Sequence, residues 1–419
     1  MMAGDAAGGD YKDVVLFLAT AGVVVPILRR WKISPVLGFL AAGVLLGPFG
    51  LGALHQSLPW LAYLTIESPS QVAHLAELGV VFLLFMIGLE LSWDRLWTMR
   101  RLVFGLGGLQ VIACATAIAV IATLLGHGAV TATVLGMALA LSSTAIVMPL
   151  LAEQKRQHSR AGRATFSVLL LQDLAVAPIL VTIAFLGSHQ DNDFTFKPLI
   201  AFAPAALGLL GLVALGRLVL RPMMRSVARA DSPELFMAAS LLVVIGAGLA
   251  AAMVGLSMAL GAFIAGLLLA ETEHRKQIER TVEPFKGLLL GLFFVSVGIS
   301  LDLSRLAAAP ALILGLMVGV TALNGAIVFG LARLWRLGRA AALETALLLA
   351  AGGEFAFVVL QSAMTEKLLD RTLGQTILVA STLSMFSIPV LAAIGAAVRR
   401  RVLAATPAAP APSVQRRET

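Results

Sequence analysis

The sequence predicts an all-α membrane protein of about thirteen transmembrane helices, arranged as two inverted six-helix repeats with crossed, broken helices. Three observations carry that prediction. Hydrophobic residues make up 59% of the 419 residues and charged residues only 13%, with a mean hydropathy of +0.94. That is more apolar surface than a soluble chain of this size can hide. The basic residues alternate from one connection to the next, and motifs from the first half recur in order in the second.

The apolar runs span roughly 14–28, 33–52, 72–91, 102–125, 130–151, 164–187, 198–220, 234–254, 257–270, 285–301, 310–332, 341–364 and 372–398. Residues 1–13 are small and acidic with no basic stretch ahead of Val14, so the first run reads as a spanning helix behind an extracytoplasmic segment, not as a cleaved signal. The membrane domain covers 14–400. Repeat one is about 14–187, a connector helix about 198–222, and repeat two about 234–398. The Ala- and Pro-rich stretch 401–419 reads as a disordered cytoplasmic tail.

Twenty-six of the 31 Lys and Arg residues lie in alternate connections, from Arg29, Arg30 and Lys32 to the C-terminal Arg399–Arg401, Arg416 and Arg417. The other connections hold only Lys12, Lys197, Arg305, Lys367 and Arg371. The positive-inside rule then places the C-terminus in the cytoplasm and the N-terminus outside. The net charge of +8 is therefore topological, and no nucleic-acid partner is implied.

Leu37–Leu46 reads like Leu260–Leu269, and Met86–Leu91 like Ser296–Leu301. Ser142-Ser143-Thr144 falls opposite Gly352-Gly353-Glu354, and Gln172-Asp173 through Pro178 falls opposite Leu383-Ser384 through Pro389. These pairings join helix 2 with 9, 3 with 10, 5 with 12 and 6 with 13. The shift of seven is odd, so the second copy is inserted upside down, as in many secondary transporters. In helices 5 and 12 the hydroxyls compete for backbone carbonyls and the glycines loosen the helix, so both unwind near their centres. Such backbone is tolerated at membrane depth only where protein or a water-filled cavity satisfies it. If the two cross, free carbonyls and opposed helix ends meet at mid-membrane, ready to hold a cation.

Asp173 lies roughly ten residues beyond the Arg160–Arg163 cluster, about half of a ~30 Å hydrocarbon core at ~1.5 Å per residue. A charge at that depth costs at least ~2.5–3.5 kcal/mol, so it is a candidate ion or proton site. One carboxylate takes a proton or a cation, not both, which predicts one cation per proton with no net charge moved. Gln172 beside it can ligate or orient but cannot titrate. Glu354 braces the crossed helices.

These motifs, with Leu256–Phe263, Glu283–Phe294, Gly352–Val358 and Leu171-Gln172-Asp173, resemble the second branch of the monovalent cation:proton antiporters, specifically the Kef-type potassium:proton exchangers, over about residues 12–400. The resemblance implies a sodium:proton antiporter-like fold, with a six-helix core carrying the ion against a dimerising scaffold by alternating access in the inner membrane. It places the exchanging carboxylate at Asp173, its Kef-type neighbour at Gln172, and unwound helix segments at Ser143-Thr144 and Gly353-Glu354. Ser142, Gly352, Ser384 and Asn324 are expected to support them. Asn324 stands where several relatives place a Lys. Kef-type proteins continue into a nucleotide-binding domain that gates them with glutathione; the sequence shows no such domain, which puts that gating in doubt. Residues Arg275–Glu279 would form the loop such a domain touches.

No nucleophile–base pair, Walker motif or zinc spacing occurs, so neither an enzyme nor a cofactor is expected, nor any metal beyond the transported cation. Cys114 reads as a buried structural thiol. The expected partners are the monovalent cation, the proton, the bilayer and a second copy of the chain. Two other readings share the fold: a sodium-coupled organic-anion symporter, and a non-transporting sensor or channel-like subunit. The first would need a second sodium site and a roomy polar cavity.

Overall fold

The computed structural model describes residues 5–31, 34–54, 59–66, 69–90, 97–188, 197–253 and 256–405. Thirteen helical passes are seen among them. They are α1 (5–30, π-helical over Thr20–Val24), α2 (Pro35–Leu46), α3 (Pro69–Glu90) and α4 (101–124, opening in the π-helical Arg101–Gly107). Next come α5a (Ala129–Leu139) with α5b (Thr144–Glu153), α6 (Arg160–Ser188), α7 (Lys197–Ala228), α8 (Pro233–Met253) and α9 (Met258–Ala270). The last are α10 (Arg275–Ser300), α11 (Pro310–Leu334), α12a (Arg339–Leu349) with α12b (Glu354–Thr365), and α13 (Arg371–Ala405). Among the described residues, seven helices are long and apolar enough to cross a membrane by length and composition, and four shorter apolar helices accompany them.

Two expectations shift. Residues 275–279 are the first turn of α10, not a loop, and Ile278 is fully buried there. Helix α13 runs to Ala405, into the stretch expected to be disordered. Arg, Val, Leu and Ala after Arg400 all sustain a helix, and the first proline is Pro407. The remaining tail lies outside the described residues.

The inverted repeat is visible in the backbone. Of the five left-handed residues among those described, four sit at paired helix ends, Gly126 (φ 92°) after α4, Lys155 (φ 54°) after α5b, Arg336 (φ 58°) after α11 and Lys367 (φ 59°) after α12b, while Asp231 (φ 49°) lies between α7 and α8. Each of the four closes the same cap, in which the next N–H reaches back to a carbonyl in the last turn. His127 N donates to Ala122 O at 3.1 Å, Arg156 N to Leu151 O at 2.8 Å, Leu337 N to Ala332 O at 3.0 Å and Leu368 N to Ala363 O at 2.9 Å. Proline also recurs inside the paired helices, Pro178 in α6 and Pro389 in α13.

The helices sort into two groups. Helices α4, α5, α6, α11, α12 and α13 pack chiefly on one another, whereas α2 lies along α10 and α3 along both α9 and α10, with α8 beside them. The pairs α2–α10 and α9–α3 are equivalent under the repeat, and both rest on glycine. A Cβ on Gly43 would strike the Val295 carbonyl and one on Gly298 the Leu40 carbonyl. Likewise Gly88 lies against the Phe263 carbonyl and Gly266 against that of Phe85. Without side chains at these points the backbones approach closely, which drives helix association where lipid removes the hydrophobic advantage. Between the groups the direct contacts are few, and they run mainly from α6 to α3 and α9.

Gly43→Val and Gly266→Val should each lower stability by about 1–3 kcal/mol, the usual cost of overpacking. Thermal unfolding of the detergent-solubilised protein measures this. Gly315→Ala in α11, where an added Cβ meets nothing within 4 Å, should leave the melting temperature unchanged or raised.

Candidate functional site

The two broken helices cross where both chains are extended. Ser142 and Gly352 form an antiparallel β-bridge, the only isolated bridge among the described residues. Gly353 is packed against the Ser142 carbonyl so closely that a Cβ would collide with it. That requirement, not a special φ (−118°), makes the position a glycine. Helices α5b and α12b begin at the crossing and α5a and α12a end there, so two positive and two negative helix ends converge.

Each extended segment is anchored by a neutral side chain from the next helix. Gln172 Oε1 accepts from Ser142 N at 2.9 Å, and Ser384 Oγ accepts from Gly352 N at 3.1 Å. By hydrogen-bonding role, then, Ser384 matches Gln172, one residue off the Asp173 counterpart read from the sequence. The carbonyl ends are also occupied. Asn324 Nδ2 donates to Leu139 O at 2.8 Å, Gln110 Nε2 to Ala140 O at 3.1 Å, and Ser142 Oγ to Leu349 O at 2.8 Å. Gln110 Oε1 in turn accepts from Gln172 Nε2 at 2.9 Å. Gln110 was not singled out by sequence, although it is a lone amide in an apolar run and, at 1% exposure, is buried as completely as Asn324. It also donates to the buried Cys114 Sγ at 3.4 Å.

The arrangement leaves the carboxylates apart from the amides. Asp173 is bonded by Thr144, whose Oγ1 donates to its Oδ1 at 2.9 Å. Neither Gln172 nor Asn324 bonds to it. Glu354, at the start of α12b, accepts from Ala145 N at 2.9 Å and so satisfies an orphan N–H in the first turn of α5b. Its other oxygen, Oε2, and Ser143 Oγ are buried with no hydrogen-bond partner.

Asp173, Thr144, Ala145 and Glu354 line a cavity of about 420 Å³ between the two helix groups. Its opposite wall comes from α2 (Phe39), α3 (Leu83, Met86, Ile87) and α10 (Leu290, Phe294), and its mouth carries Arg29, Glu90, Glu153 and Lys286. Glu90 and Lys286 face each other at 3.9 Å. Val176, Ile179, Leu180 and Ile183 of α6 belong to the same buried apolar cluster as Leu260, Phe263 and Ile264 of α9. A second charged cluster braces the same helices. Glu344 in α12a, 1% exposed, ion-pairs with Arg156 and, at 3.6 Å, with Arg399 of α13. Glu344 too was legible as an acid inside an apolar run.

Gln110→Leu should cost about 0.5–1.5 kcal/mol by removing its bonds to the Ala140 carbonyl and the Gln172 amide, which keep only each other at 3.3 Å and, for the amide, Ser142 Oγ at 3.4 Å. Glu344→Gln should cost about 3–5 kcal/mol by stranding two guanidiniums. Melting temperatures of the purified variants check both.

The chain matches the sodium/hydrogen exchanger transmembrane family over residues 14–394. It is 42% identical over 383 residues to the glutathione-regulated potassium-efflux system protein KefC of Klebsiella pneumoniae (strain 342). That match covers 90% of this chain but 59% of the relative, so the chain spans about three fifths of its length. Two structures of the sodium proton antiporter MjNhaP1 from Methanocaldococcus jannaschii share the fold at 17% identity. One aligns with a TM-score of 0.66 over 94% of this chain and 98% of that one, the other with 0.63 over 97% and 99%. The crossed broken helices, the inverted repeat and the family match over nearly the whole membrane portion agree: the chain belongs to the sodium/hydrogen exchanger family, as a Kef-type membrane domain.

Proposed function

We propose that this chain is a secondary antiporter that exchanges a monovalent cation, potassium in preference to sodium, for a proton by alternating access in the inner membrane. The observation that carries the reading is Asp173, 7% exposed in the lining of the cavity between the two helix groups and held by the Thr144 hydroxyl. An isolated carboxylate there is neutralised by a proton or by a cation, and Glu354 nearby adds negative potential that favours either. Asp173 and Thr144 are the ion-binding pair. Ser143 lies one residue away with an unpartnered hydroxyl, and Gln172 acts by fixing the crossing to which Thr144 belongs.

The division into two groups with few direct contacts supports alternation by relative displacement. The glycine-seamed pairs α2–α10 and α3–α9 would stay fixed while the crossing moves. With the C-terminus cytoplasmic, the mouth at Arg29 and Lys286, both in the basic set of connections, faces the cytoplasm and the cavity is inward-open. A homodimer is the assembly this reading carries. Potassium is favoured by the potassium-efflux name of the KefC relative. A sodium-coupled anion symporter would need a second cation site and a polar chamber, whereas this cavity wall is largely apolar.

Dequenching of a pH dye in proteoliposomes on adding potassium, sodium, lithium or rubidium tests the proposal. Potassium should give the largest response, and no response to any cation would overturn it. Asp173→Asn should abolish exchange while leaving the melting temperature near wild type. Thr144→Ala, which removes a hydrogen bond to a charged acceptor, should weaken the apparent cation affinity by about tenfold or more. One carboxylate predicts a rate insensitive to imposed membrane voltage; a steep voltage dependence would rule out 1:1 exchange.

A further inference from the structure

Outside the ion pathway, a cleft of about 710 Å³ opens at the ends of α4, α6 and α11. Five arginines line it: Arg100 and Arg101 at the start of α4, Arg160 and Arg163 in the first turn of α6, and Arg336 just after α11. Among the described residues no acidic side chain lines it, and none of the five ion-pairs with a carboxylate. Several other basic residues of these connections are matched: Arg221 with Glu271, Arg225 with Glu273, Lys286 with Glu90, and Arg156 and Arg399 with Glu344. Here like charges from three connections are gathered into one concavity, with no carboxylate among the described residues beside them.

The cleft is built as well as charged. Trp335 packs over the face of Gly105, where a Cβ would come within 3.0 Å of its ring, and its indole N–H donates to Arg101 O at 3.4 Å. Arg100 is fixed over the Trp97 ring at 4.9 Å and donates to the Trp97 carbonyl at 3.0 Å. Arg336 is held in the left-handed region (φ 58°) by the cap that ends α11. Met99, Leu102, Ala164 and Leu337 supply an apolar wall between the arginines. The positive ends of α4 and α6 open toward the same space.

We propose that this cleft binds the phosphate headgroup of an anionic phospholipid. Guanidinium groups suit bidentate contact with phosphate oxygens, and basic pockets between helix ends at the membrane surface take multiply charged headgroups. The apolar wall and the half-buried indole fit the glycerol and upper acyl region, which a free phosphate ion does not have. The site belongs to α4, α6 and α11, so the lipid holds together three helices of the group that carries Asp173. It does not depend on the transport reading.

The test uses the full chain purified in detergent and native mass spectrometry with added cardiolipin, phosphatidylglycerol or phosphatidylcholine, beside thermal shifts with the same lipids and with inorganic phosphate. Wild type should retain cardiolipin and phosphatidylglycerol over phosphatidylcholine and be stabilised by them. Arg101→Gln/Arg160→Gln/Arg163→Gln/Arg336→Gln should lower the anionic-lipid affinity by about tenfold or more, whereas Arg217→Gln/Arg229→Gln, on the α7 side, should not. If the quadruple variant does not fold, Arg163→Gln and Arg336→Gln singly should each reduce retention. Equal loss in the α7 variant, unchanged retention in the cleft variants, or stabilisation by inorganic phosphate as large as by lipid would each overturn the assignment.

Discussion

Everything near the site depends on one constraint: two stretches of peptide backbone cross in an apolar interior and must find hydrogen-bond partners there. The Ser142–Gly352 bridge supplies some of them. Others come from side chains on four other helices, namely Gln110, Gln172, Asn324 and Ser384, and from Ser142 and Glu354 at the crossing itself. Only Gly353 lets the two backbones approach closely enough to pair. Thr144 stands at the first position of α5b, and so its reach to Asp173 is set by where the unwound segment ends. Had the carbonyls been left to find their own ligands, the crossing and the ion site would have been one structure. Here they are two, side by side.

That separation explains how the charged groups are divided. Glu354 meets a helix N-terminus and Glu344 two arginines, so each has a structural counterpart. Asp173 has a hydroxyl and a cavity. Of these three buried acids, the one with the weakest protein partner is the one proposed to bind something from outside.

The architecture was largely legible because membrane burial leaves strong signals: long apolar runs, alternating basic loops, and glycine motifs repeated with an odd shift. The same signals led to Asp173, Thr144 and the broken helices. What sequence could not supply was direction. Gln172 adjoins Asp173 in the chain, but neighbouring residues on a helix point about 100° apart, and its amide turns to the crossing instead of the ion. Asn324 stands where several relatives place a Lys, yet its amide caps α5a. Gln110 and Glu344 carried the same warning as Asp173, a polar group in an apolar run, and their partners lie 30 residues away or in distant helices. The arginines of the cleft read as three separate topological loops until the fold brought them together.

The neutral caps have a bearing on what happens when the site is empty. Since Leu139, Ala140 and Leu349 already have donors from the protein, losing the cation exposes no backbone and unwinds no turn. The loaded and unloaded forms can share one rigid crossing. Under the proposed alternating access, the work of each cycle falls on moving that solid unit past its neighbours, and little of it on rebuilding the ligand shell.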